Sequence, residues 1–123
     1  MYILKIKAFA DFDMSYDINL AVFSNSLQAN YVRDALNDWV NKQDKVNQDV
    51  RFSEIVKDDD LHNDFLLVVT SALANWFNRN QIASFVTNYF EVIRNNYVYL
   101  NTNIFSVENV QNLTDLGGQN YGI

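Results

Sequence analysis

Between Asp58 and Asp64 the chain reads DDDLHND, which gathers four carboxylates, Asp58, Asp59, Asp60 and Asp64, around its one histidine, His62. Hard oxygen ligands beside an imidazole are what a hard-cation or mixed metal site draws on. The spacing, however, matches no ligand template. Three aspartates ahead of an apolar run also suit a helix start, where they cap orphan N–H groups and favour the positive end of the helix dipole. That second role needs no metal, and it is the one expected here.

Asp11, Asp13 and Asp17 open in the manner of a calcium loop. The EF-hand template then requires glycine at its sixth position and glutamate at its twelfth, and this chain has Tyr16 and Val22 there. A solvated hairpin loop is expected instead. A Ser-His-Asp set would have to be built on His62, with no nucleophile elbow, phosphate loop or HExxH to frame it. The sequence holds no cysteine and three glycines, all of them near the C-terminus. Thiolate chemistry and tight ligand-cradling loops therefore have little to work with, and neither catalysis nor a cofactor is expected.

Binding surfaces are the other candidates. On a helix, Asn30, Asp34, Asn37, Asp38 and Asn41 fall within about one-third of the circumference, with Tyr31 beside them. Asp34 and Asp38 are like charges four apart, which costs an isolated helix a few tenths of a kcal/mol. A basic partner would offset that cost; a solvated polar face carries the same pattern. These six residues form the expected partner-binding set. Tyr16, Tyr31, Tyr97, Tyr99 and Tyr121 form another group, either binding anchors, since tyrosine joins a large apolar area to a polar tip, or the rim of the core.

The elements that would position these residues follow from hydrophobic period. Tyr2, Leu4, Ile6 and Ala8 alternate with Lys5 and Lys7, as in a half-buried strand, and Ile18, Leu20 and Val22 resume the alternation after the loop over residues 11–17. An antiparallel hairpin is expected. Ser24, Asn25 and Ser26 precede Val32, Ala35, Leu36, Trp39 and Val40 at helical spacing, so a first helix is expected over residues 26–42. Residues 42–49 read as a loop and residues 50–57 as a third strand. Leu61, Phe65, Val68, Val69, Ala72, Leu73, Trp76 and Phe77 share one helical stripe; residues 65–70 taken alone also fit a buried strand. A last helix is expected from its cap at Asn80 to Asn95 and Asn96, then a last strand over residues 97–106. The fold class is α+β: an N-terminal antiparallel hairpin plus one or two further strands, packed against about three helices.

At 123 residues, 49% of them hydrophobic, the chain is sized for one core. One domain over residues 1–111 is expected, with residues 112–123, containing Gly117 and Gly118, as a flexible C-terminal tail. No stretch reads as a signal peptide or is long enough to cross a bilayer of about 30 Å, so a cytoplasmic location and no membrane contact are expected. Fifteen acidic against nine basic residues leave a net charge of −6, which disfavours direct nucleic-acid binding and suits a basic protein partner. The asparagine-rich, proline-free composition points to an AT-rich gene, such as that of a bacterium or its phage.

The segment INLAVFSNSLQANYVRDAL, residues 18–36, is a strand followed at once by an amphipathic helix, and it resembles small phage and mobile-element proteins. The segment DDDLHND resembles a short stretch in acidic phage-encoded anti-host proteins, anti-restriction DNA mimics among them. The resemblance implies a non-enzymatic inhibitor, of anti-CRISPR or anti-restriction type, that masks a basic surface of a host-defence protein in the host cytoplasm. Two alternatives stay open: a structural or assembly module that self-associates, with a homodimer as its simplest form, and a small hydrolase or metal-binding protein built on residues 58–64.

Overall fold

A computed structural model of the chain describes residues 1–11 and 14–110. Asp13, Tyr121 and the expected tail over residues 112–123 lie outside these. The element order is β1 (Tyr2–Phe9), β2 (Ser15–Phe23), α1 (Ser26–Asn41), α2 (Phe52–Ile55), α3 (Asp59–Leu73), α4 (Arg79–Asn95) and β3 (Phe105–Asn109). The fold is α+β, with an antiparallel sheet in the order β2-β1-β3. The N-terminal hairpin is present as expected.

The alternation that marks β1 decides how the sheet is covered. Leu4, Ile6 and Ala8 are buried on one face, and Lys5 and Lys7 lie on the other, where Lys5 pairs with Glu108 of β3. The pairing of β1 with β2 shifts between Leu4 and Lys5. Opposite that shift, Leu20 is the extra residue of a bulge, and its carbonyl accepts a hydrogen bond from Asn88 Nδ2 of α4 at 3.1 Å. A sheet-edge carbonyl left idle by the bulge is thus satisfied by the helix that packs on β2.

The helices begin where short polar side chains permit. Asn25 caps α1, Asp58 caps α3, and Asn78 caps α4 through a capping box in which Gln81 reaches back to the Asn78 N–H. Asn78, not the expected Asn80, is therefore the α4 cap. Residues 65–70 lie inside α3, which resolves the helix-or-strand ambiguity in favour of the helix.

Two expected strands also need correction. Residues 50–57 are not a strand; they make a single bridge, Arg51 to Tyr99, and then the helical turn α2. The buried residues of that turn are Phe52 and Ile55, whose spacing of three belongs to a helix. The last strand is β3, shifted toward the C-terminus from the expected 97–106, and its Phe105 pairs with Ile6. Before it, Asn103 adopts φ 57°, a left-handed value that asparagine tolerates, and ends the extended run.

Within a mainly aliphatic core, aromatic rings join the elements to one another. The Phe52 ring lies 5.2 Å from Phe65 and 5.9 Å from Tyr89, and Phe65 lies 4.8 Å from Trp39, all centroid to centroid. Edge and tilted arrangements predominate, as ring quadrupoles favour. Phe52 thereby joins the short turn α2 to α3, α4 and, through Phe105 at 6.5 Å, to the sheet.

Candidate functional site

The DDDLHND cluster disperses once folded. Asp58 Oδ1 accepts from the Leu61 N–H at 3.1 Å, Asp59 and Asp60 occupy the first turn, and Asp64 accepts from Trp39 Nε1 of α1 at 2.7 Å. His62 faces the core, stacked on Tyr89 and edge-on to Phe90 at 5.0 Å. Among the described residues, no group of three or more metal-ligating side chains converges. Replacing Asp58 with alanine should cost about 1 kcal/mol of stability, the usual value of a lost cap, and adding divalent cations should leave the melting temperature unchanged. A cation-dependent rise in melting temperature that His62→Ala abolishes would restore the metal site.

Burial has a second consequence at His62. Its Nε2 is buried with no hydrogen-bond partner, and so is the Tyr89 hydroxyl. Desolvation holds the imidazole below its ordinary value of 6.5, only partly opposed by Asp59, and burial pushes the Tyr89 phenol upward. Between pH 6.5 and the lower folded-state value, the unfolded chain takes up a proton at His62 that the folded chain refuses. Stability should therefore be full above pH 6.5 and fall as the pH drops below it. Melting at pH 8, 6.5 and 5.5 should show that decline, and His62→Phe, which leaves an uncharged ring among rings, should flatten it.

The expected stripe on α1 is only partly a surface. Asn37 is 8% exposed and buried against the sheet: its Nδ2 donates to the Phe105 carbonyl and its Oδ1 accepts from the Phe105 N–H, each at 2.9 Å. This corrects its placement on the outer face of the helix, since both ends of its amide are spent on the sheet. Asn41 is exposed but tied to Asn103, with a side-chain bond and a side-chain to backbone bond of 3.0 Å each. Asn30 is half-buried. Asp34 and Asp38 are exposed, and each already faces a cation, Arg33 and Lys42 respectively, at 2.9 Å. The like-charge repulsion is thus relieved within the helix, through exposed pairs worth well under about 1 kcal/mol each.

Tyr31 remains, and the fold gives it company that period alone did not show. Its ring is 52% exposed and meets Trp76 edge to face at 5.3 Å. Trp76 was expected on the core stripe of the helix before it, but α3 ends at Leu73, and the turn that follows leaves this indole 37% exposed. Leu27, one turn before Tyr31 on α1, is 78% exposed. An apolar residue at position 27, off the buried stripe of its helix, was the available signal. No family model, curated protein or solved structure matches the chain. The surface itself must then supply the functional argument. Tyr31 and Trp76 thus form an exposed aromatic pair between α1 and the turn after α3, with Leu27 one turn earlier on α1 and Asp34, paired with Arg33, nearly one turn later.

The other tyrosines divide by role. Tyr16 donates its hydroxyl to Asn96 Oδ1 at 2.7 Å, so it ties β2 to the end of α4. Tyr97 and Tyr99 stand on a different surface, near Phe9. Among the described residues, no helix is long and apolar enough to cross a membrane.

Proposed function

We propose that this chain is a non-enzymatic binding protein that covers a surface of a basic protein partner through the α1 face bearing Leu27, Tyr31 and Asp34, together with Trp76. The observation that carries this reading is the exposed Tyr31–Trp76 pair with Leu27 one turn away. Rigid aromatic side chains bury a large area on association at small entropic cost, and they dominate the energetics of interfaces. The net charge of −6 favours a basic partner over an acidic one. The likeness of residues 18–36 to small phage and mobile-element proteins, and of residues 58–64 to a stretch of phage anti-host proteins, supports a host-defence protein as that partner, with inhibition by masking as the mode of action.

Charge and contact separate in the test. Partner proteins are captured from host lysate, identified by mass spectrometry, and their association rates measured at low and high salt. Asp34→Lys with Asp38→Lys should move stability by no more than about 0.5 kcal/mol. The same variant should slow association at low salt and matter much less at high salt, since complementary charge steers encounter. Unchanged rates at low salt from the folded variant would remove α1 from the interface. A second reading, self-association, rests on the same cluster, because an apolar patch on each copy is self-complementary about a two-fold axis. Sedimentation showing a dimer that Tyr31→Ser dissolves would favour it.

A further inference from the structure

The segment after α4 alternates strictly. Val98 and Leu100 are buried in the core, while Tyr97, Tyr99 and Asn101 point the other way. The segment is held on both sides by backbone hydrogen bonds: Phe9 N–H to Tyr97 O at 3.0 Å, Phe52 N–H to Val98 O at 2.7 Å, and Leu100 N–H to Val50 O at 2.8 Å. The three outward side chains, with Phe9, Asp11 and Asp49, line an open cleft of about 590 Å³. That volume lies within the usual range for small-ligand sites. Phe9 meets Tyr99 edge to face at 5.7 Å.

The charged residues that line the cleft are both acidic. Its described lining residues include two carboxylates, Asp11 and Asp49, and no cation. Three aromatic rings line it as well, and the faces of such rings attract positive charge. One such contact already exists at its edge, where the Arg51 guanidinium lies 4.3 Å from the centre of the Tyr97 ring. Arg51 is not among the lining residues, but its charge at the edge offsets part of that of the two aspartates. Rings and carboxylates together suit a cation carried on an apolar stem, which places its methylenes against Phe9 and Tyr99 and its charge near the aspartates.

We propose that the cleft of Phe9, Tyr97 and Tyr99, bordered by Asp11 and Asp49, binds a guanidinium or ammonium group on an alkyl stem. This site shares no residue with the α1 surface. Two sources offer that chemistry, a basic side chain of a protein or a free polyamine. The probes are arginine amide and its uncharged counterpart citrulline amide, both with the α-amine acetylated so that they differ only in side-chain charge, and putrescine, each titrated into the full chain while the ring resonances of Tyr97 and Tyr99 are followed by NMR. Arginine amide or putrescine should give saturable shifts, and citrulline amide should bind about fivefold more weakly or not at all. Tighter binding of arginine amide assigns the site to a basic side chain; tighter binding of putrescine assigns it to a polyamine. Asp49 has φ 58°, which asparagine accepts as readily as aspartate. Asp11→Asn with Asp49→Asn should therefore keep its melting temperature and lose about fivefold in affinity for the cation. Should the double variant fail to fold, Asp11→Asn alone serves, with a smaller loss expected. Equal shifts from citrulline amide, no saturation by either cation, or undiminished binding by a folded variant would overturn the proposal.

Discussion

Phe52→Ala should destabilise the fold by about 3–5 kcal/mol, the range found when a large core ring is deleted. That is a large part of the roughly 5–15 kcal/mol available to a domain. Phe52 is fully buried, and its ring contacts Phe65, Tyr89 and Phe105, which belong to α3, α4 and β3. No one of these neighbours can close the hole without moving away from the others. Urea unfolding should show a much lower midpoint for Phe52→Ala and a smaller loss for Phe52→Leu, which keeps most of the volume. A loss below about 1 kcal/mol for the alanine variant would mean that α2 is not packed as described.

Asn37→Ala should cost about 2–4 kcal/mol. Its amide satisfies both the N–H and the carbonyl of Phe105, and each backbone group orphaned in the core costs about 1–3 kcal/mol. Asn37→Leu discriminates between explanations. Leucine fills the space yet makes neither bond, so a comparable loss would show that the orphaned Phe105 groups carry the cost. Near wild-type stability for Asn37→Leu would reduce the residue to a space filler. Hydrogen exchange at the Phe105 amide should accelerate in both variants, since this N–H loses its acceptor.

Asn37 also shows where a linear sequence stops being informative. Its type and its place beside Asp34 and Asp38 spoke for the solvent side of the helix, and only tertiary structure brings it to a backbone 68 positions away. Elements whose burial follows one period were legible: β1 by alternation, and α1, α3 and α4 by their apolar stripes and caps. β3 was not, because it alternates weakly and its sequence, FSVEN, is mostly polar, so its place in the sheet comes from pairing with β1. Trp76 was misplaced for a related reason. The stripe continues past Leu73 in sequence, but the helix does not, and the turn sends the indole to the surface. The cleft was half visible: Tyr97, Tyr99 and Asp11 each stood out, whereas their convergence depends on a bridge from Phe9 to Tyr97 that no local pattern announces.

The acidic cluster carries the converse lesson. Asp58, Asp59, Asp60, His62 and Asp64 are close in sequence, and helical geometry separates them into a cap, a first turn, a core position and a tie to α1. Proximity along the chain suggested chemistry that a helix of 3.6 residues per turn takes apart.

The central claim, that the chain acts by covering a partner with the Leu27–Tyr31–Trp76 surface, is tested most directly by a paired capture from host lysate. Wild type and a variant carrying Leu27→Ser, Tyr31→Ser and Trp76→Ser are immobilised at equal amounts, after matching circular dichroism spectra and melting curves show both to be folded. The account predicts that at least one basic protein binds wild type stoichiometrically and is lost from the variant, and that the purified protein binds wild type directly. If the folded variant retains the same partner with the same affinity, the surface is not the interface, and the claim is contradicted.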